Sequence, residues 1–165
     1  MRNKTQYTAA HVTNYILHKA RKEKIPMNNI KLQKLLYIFF GWYYIIGDRK
    51  ELYQESIQAW RLGPVIPMIY QQYKHRRRED IRQEDDAVYL DDKTLQLTHA
   101  PWDDIDDETQ QNLSVIWDFY KKKPTEDLIS LTHQRNTPWW ATYDPSMKKR
   151  IPVPLIKRYY EKLNR

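Results

Sequence analysis

The chain has 165 residues, 28 Lys and Arg against 21 Asp and Glu for a net charge of +7, and no cysteine. That length is enough for one domain with a real core, and the lack of thiols excludes disulfides, cysteine catalysis and a Cys-based zinc site. The first 19 residues hold no apolar stretch of signal-peptide length, and the longest apolar run, Leu35–Ile46, is about six residues short of a membrane span, so a cytoplasmic chain with no membrane segment is expected.

Residues 8–22 predict a helix, with Val12, Tyr15, Ile16 and Lys19 at helical spacing and Thr8 placed to cap its start. Pro26 ends the connection, and Asn28 or Asn29 caps a second helix that runs to about Ile46. Leu32, Leu35, Leu36, Phe39, Tyr43 and Ile46 make one face of it. Ile38, Trp42 and Ile45 make the other nearly as apolar, which places this helix at the centre. Gly41 inside it costs about 1 kcal/mol against Ala, so a backbone or an aromatic ring is expected to pack there. Gly47 suits the helix end. Residues 55–60, ESIQAW, alternate as a short strand. The residue before each proline is pushed to extended geometry, so Gly63 and Ile66 are not helical. A helix can then open at Pro67 and run to about Tyr73.

Residues 74–86 form a polar loop, and 87–98 a hairpin turning at Asp91–Asp92–Lys93. The acids of 103–109 stand before and inside the next helix, at the end its dipole favours, and that helix continues through Leu113, Ile116, Trp117 and Tyr120. Pro124 starts another, to about Gln134. TPWWATY is a turn into a short helical piece. Pro154 opens a last helix with Leu155, Ile156, Tyr159, Tyr160 and Leu163 inward. With no repeat and no flexible linker, the expected fold is mainly α with a small β element (α+β): a compact single domain over 1–165 with a short antiparallel hairpin or sheet.

The charge is split. Residues 1–82 carry 16 Lys+Arg against 6 Asp+Glu, residues 83–112 carry 1 against 10, and residues 113–165 carry 11 against 5. One acidic segment on a basic body argues against a uniform nucleic-acid coat. Thirteen tyrosines and six tryptophans supply large rings with polar tips, the type enriched at recognition surfaces.

Catalytic and metal chemistry find little support. His11 and His18, seven apart on one helix face, are too far apart to share a metal and suit capping or surface roles. His133 lies at a helix end beside Pro138 and two tryptophans, with no nucleophile motif around it. The acidic pairs Asp85–Asp86, Asp91–Asp92, Asp103–Asp104 and Asp106–Asp107 do not match a calcium loop. Three glycines, at 41, 47 and 63, cannot build a phosphate loop. No catalytic residue, metal or cofactor is expected.

Binding is better supported. The cluster Lys74, His75, Arg76, Arg77, Arg78 follows Tyr70 and Tyr73, a combination able to grip single-stranded nucleic acid, with a solvated loop or a patch for an acidic protein partner as the plainer readings. At the corner AWRLGPVIP, Trp60 and Arg61 face a helix start with unpaired backbone N–H groups, a concavity suited to an acidic group or an extended chain. In the plainer reading Trp60 plugs the core and Gly63–Pro64 only turns the chain. If Trp60 is core, Trp60→Ala costs about 3–5 kcal/mol. The candidate partner contacts are Trp60, Arg61, Tyr70, Tyr73, Lys74, Arg76, Arg77, Arg78, His133, Trp139 and the acidic segment 84–108.

The stretch KLQKLLYIFFGWYYIIGDRKELYQESIQAWRLGPVIPMIYQQYK resembles the signature half of the Panacea, or SocA-like, antitoxin domain. The pattern falls on Lys31, Leu32, Lys34, Leu35, Leu36, Tyr37, Gly41 and Trp42, then on Ala59, Trp60, Gly63, Pro64, Val65, Pro67 and Tyr70. The closing LTHQRNTPWW and IPVPLIKRYY are similar to the family's ending, on Thr132, His133, Pro138, Trp139, Ile151 and Pro152, so the resemblance spans roughly residues 10–160. It implies a bacterial or phage toxin–antitoxin component that neutralises a cognate toxin, often one that inhibits translation, by direct binding, with no enzymatic activity. A phage- or prophage-encoded nucleic-acid-binding protein or protease adaptor is the alternative.

Overall fold

The computed structural model describes residues 7–165; the first six residues of the expected domain lie outside the described residues. The long apolar helix is the axis of the molecule. It runs Asn29–Ile46 (α2), is capped by the Asn28 side chain, and is buried at nearly every position from Lys31 to Gly41. The helices Ala9–Glu23 (α1), Asp107–Tyr120 (α4), Thr125–His133 (α5) and Val153–Leu163 (α7) pack on it, and Pro67–Tyr73 (α3) lies at its N-terminal end. Pro138–Thr142 (α6) joins α5 to α7. The chain is thus mainly helical with short antiparallel strands, as its patterning predicts.

The expected contact at Gly41 is the Tyr160 ring: a Cβ built on Gly41 would sit 2.1 Å from a Tyr160 ring carbon. Tyr160 then packs edge-on against Tyr37 and Trp42, and Trp42 Nε1 donates to the Tyr120 hydroxyl at 2.9 Å. Gly47 serves its helix end differently from expectation. Its φ is −97°, and the left-handed residues are Asp48 and Arg49. What excludes a side chain at Gly47 is the Tyr43 ring, 2.6 Å from the Cβ position.

The first strand is shorter than its alternation suggests, Gln58–Trp60 (β1). The corner that follows is itself a hairpin. Gly63–Val65 (β2) pairs antiparallel with β1 in the register Gln58↔Val65, Ala59↔Pro64 and Trp60↔Gly63, leaving Arg61 and Leu62 as the turn. Pro64 is tolerated because β2 is an edge strand. Lys149–Arg150 (β5) covers the other side of β1, giving the order β2-β1-β5. Neither β2 nor β5 alternates, so neither is visible as a strand in the sequence.

The second hairpin pairs Val88–Leu90 (β3) with Leu97–His99 (β4), so the turn is longer than the three residues expected. The Asp91 side chain organises it, accepting from the Lys93 and Thr94 N–H groups at 2.9 and 2.8 Å. Leu163, expected inward on α7, is half exposed at the last residue of that helix. No helix among the described residues is long and apolar enough to cross a membrane.

Candidate functional site

The corner is held by polar side chains from the first turns of α2. Asn29, Gln33 and Lys34 are all buried. Asn29 Nδ2 donates to the Tyr70 carbonyl at 3.2 Å, Gln33 Oε1 accepts from the Ile66 N–H at 2.9 Å, and Lys34 Nζ donates to the Pro64 carbonyl at 2.8 Å. Gln33 Nε2 in turn donates to Asn29 Oδ1 at 3.0 Å. The Pro64 carbonyl and the Ile66 N–H, backbone groups beside the two prolines, thereby gain side-chain partners. The donors where α3 begins are fewer than expected: Pro67 has no N–H, that of Ile66 is taken by Gln33, and those of Ile69 and Tyr70 go to the Ile66 carbonyl.

Gly63 completes the corner. Its φ is +108°, and a Cβ there would lie 3.1 Å from Lys34 Cε and 3.4 Å from Thr132 Oγ1. Only glycine satisfies both the conformation and the space. Thr132 returns its own hydroxyl to the Leu128 carbonyl at 2.8 Å, which turns its side chain toward the α5 backbone.

Between the start of α2, the β1–β2 turn and α3 lies a cavity of 240 Å³, lined by Ile30, Gln33, Lys34, Trp60, Arg61, Leu62, Val65 and Tyr70. Trp60 does not plug the core. It is half-buried, meets Tyr70 edge-on at 4.8 Å between ring centroids, donates from Nε1 to Gln58 at 2.9 Å, and lies under Lys148, whose Nζ is 3.9 Å from the ring centroid. Arg61 and Leu62 are exposed at the mouth, and Lys34, 1% exposed, sits at the floor. Burial alone pulls the Lys34 ammonium down to a pKa of about 7. The site therefore combines two rings, an exposed guanidinium and a buried amine whose charge is finely balanced near neutrality.

Two candidate contacts are internal instead. Tyr73 is buried and its hydroxyl donates to the Asp85 carbonyl at 2.7 Å, because α3 turns that face onto the core. Trp139 is also buried. Its Nε1 donates to the Trp60 carbonyl at 2.6 Å, and its ring lies between His133, at 4.0 Å, and Tyr143, at 4.6 Å. His133 thus packs on an aromatic stack, and Pro138 begins α6 beneath the Thr137 cap. In the basic loop Arg76 is bound to Asp85, Nε to Oδ2 at 2.7 Å, which leaves Lys74, Arg77 and Arg78 exposed beyond it. Those three stand at the far end of α3 from the cavity. Among the described residues no three His, Asp or Glu side chains converge as metal ligands would.

Lys31, Leu32, Tyr37 and Trp42 build the scaffold. Lys31 Nζ reaches the Lys121 carbonyl at the end of α4, 2.8 Å away. Sequence reasoning did not identify Gln33 or Lys148, and it placed Lys34 only in the structural pattern of the family, not in a binding cavity. One signal was available: Lys34 falls on a face of α2 otherwise made of Ile30, Ile38 and Gly41, where a cation is out of place unless it has a task.

A stretch of 59 residues is 39% identical to Antitoxin SocA of Caulobacter vibrioides (strain NA1000 / CB15N), a match that takes in 36% of this chain and 31% of that relative. The shared region is therefore under a third of the curated relative's length. No solved structure matches the chain. The family model described as Antitoxin SocA-like, Panacea domain, matches residues 32–140, a span that contains the Lys34 floor, the corner hairpin, α5 and Trp139. As that span is more than half of the sequence, the chain belongs to the SocA-like Panacea domain family.

Proposed function

We propose that the chain is an antitoxin that neutralises a cognate toxin in the cytoplasm by direct protein–protein binding, without catalysis and without a cofactor. Its family membership supports this reading most, together with the antitoxin named by the 59-residue match. The corner supports the mode: Trp60 and Tyr70 stand half-buried beside an exposed Arg61, and such aromatic and arginine groups dominate binding energy at protein interfaces. The nucleic-acid reading loses Tyr73 to the core and Arg76 to Asp85.

Co-expression with the product of the neighbouring gene tests the proposal. Growth arrest by that product should be relieved, the two proteins should co-purify, and His133→Ala should still rescue. Unchanged toxicity would end the antitoxin reading. The toxin's half-life separates binding from delivery to a protease: a bound toxin persists, whereas a toxin that disappears when this chain is expressed marks an adaptor.

A further inference from the structure

Lys34 has one acceptor, the Pro64 carbonyl, for the three donors of its ammonium. Buried charge is costly unless an opposite charge lies close, yet among the described residues no acidic side chain lines the cavity that Lys34 floors. The mouth carries further positive charge, on Arg61 and on Lys148 above Trp60. The walls are apolar: Ile30, Leu62 and Val65 beside the two rings. At 240 Å³ the space falls below the roughly 300–1,000 Å³ of small-molecule pockets and suits a single side chain.

We propose that this cavity receives the carboxylate of an acidic side chain from the bound toxin, with Lys34 as its counter-ion. The partner's identity rests on the antitoxin reading; the carboxylate chemistry of the cavity does not. Arg61 and Lys148 draw an acidic segment toward the mouth. The carboxylate then displaces no internal ion pair, and its short apolar stem lies against the touching rings of Trp60 and Tyr70. The charged or titratable groups facing Lys34 are Arg61 from the β1–β2 turn and Tyr70 from α3; α5 presents Thr132, with His133 turned onto Trp139.

Two measurements decide it. The first follows the Lys34 Cε resonance of the full chain, ¹³C-labelled at lysine, against pH in sodium propionate, sodium chloride and propionamide. The midpoint, about 7 in chloride, should rise by about one unit or more in propionate alone, and Leu62→Trp, which fills the mouth from an exposed position, should abolish the response. A midpoint that ignores propionate overturns the site, whatever the toxin does. The second measures affinity for the toxin identified by co-expression. Wild-type affinity should be flat below pH 7 and fall up to about tenfold per unit above it, as the amine discharges. Lys34→Met and Leu62→Trp should each weaken binding about tenfold or more at pH 6.5, the second variant serving if the first fails to fold. A propionate response combined with wild-type toxin affinity in both variants would assign the cavity to a free small carboxylate. Self-association lost in both would assign it to a second copy of this chain. Either result overturns the toxin contact.

Discussion

Lys34 sets a pH dependence that stability measurements can read. Its folded pKa, about 7, lies below the ordinary 10.5 because burial penalises the ammonium. Between those values the unfolded chain binds more protons than the folded one, so stability rises with pH across that window, by up to about 1.4 kcal/mol per unit. Lys31, also pulled down by burial, adds in the same direction. The buried tyrosines Tyr37, Tyr53, Tyr73 and Tyr160 are pushed above 10 and oppose this rise only as unfolded tyrosine begins to ionise near 10, a small loss for each at pH 9.5. Urea unfolding at pH 7 and 9.5 should therefore show a more stable protein at the higher pH, and Lys34→Met should remove most of the difference. Equal slopes in the two proteins would mean that Lys34 is not buried as a lone cation. Gly63→Ala is harsher: it forces φ +108° on a side-chain-bearing residue and pushes Cβ toward Lys34 Cε, at a cost of about 2–3 kcal/mol by the same unfolding measurement. Trp60→Ala is milder than a core tryptophan implies. Its half-buried ring leaves about 1–2 kcal/mol to lose, against 3–5 for full burial.

At the scale of elements, the β3–β4 hairpin depends on one residue of α1. Asn14 is buried, and its side chain takes the Ala87 N–H at 2.7 Å and donates to the Ala87 and Ala100 carbonyls at 2.9 and 2.8 Å. It closes the hairpin base as a third strand would. Asn14→Ala should cost about 2–3 kcal/mol, since buried backbone groups lose their partners, and hydrogen exchange should quicken at residues 87–100 while α2 stays protected; uniform quickening would mean the hairpin unfolds only with the whole. Nothing in the sequence marks Asn14, because a polar residue on a helix reads as surface until its neighbours are known. Helices were legible for the opposite reason. Thr8, Asn28, Pro67 and the apolar spacing of α2 act within a few residues, so the limits of α1, α2 and α3 follow from local rules. Of the site, Trp60, Arg61 and Tyr70 were legible as rings and charge next to a stiff turn. The cavity floor was not, because Lys34 meets Pro64 across 30 positions of sequence. Tyr73 and Trp139 misled for a related reason: a ring's exposure is decided by the face its helix turns inward.

For the molecule as a whole, the split charge is partly spent inside the fold. Arg21 binds Asp86 at 2.7 Å, and Arg76 binds Asp85, so the acidic segment is clamped onto the basic body. Among the exposed cations, two groups flank α3 and bear on the proposed toxin contact: the corner with Arg61 and Lys148, and the loop with Lys74, Arg77 and Arg78. They differ in what surrounds the charge. At the corner, rings and a cavity exclude water, where truncations cost most and act on dissociation. In the loop the cations stand in solvent, where a charge steers encounter and is screened by salt. Trp60→Ala should therefore weaken the proposed toxin complex by about 10- to 100-fold, almost wholly through faster dissociation. Replacing Lys74, Arg77 and Arg78 together by Ala should slow association a few-fold at low ionic strength and change little at about 0.5 M salt. Surface plasmon resonance of each variant against the immobilised toxin reads both rates. If the loop variant dissociates faster and the Trp60 variant binds as wild type, the toxin sits on the loop end of α3, and the corner serves only to hold the fold.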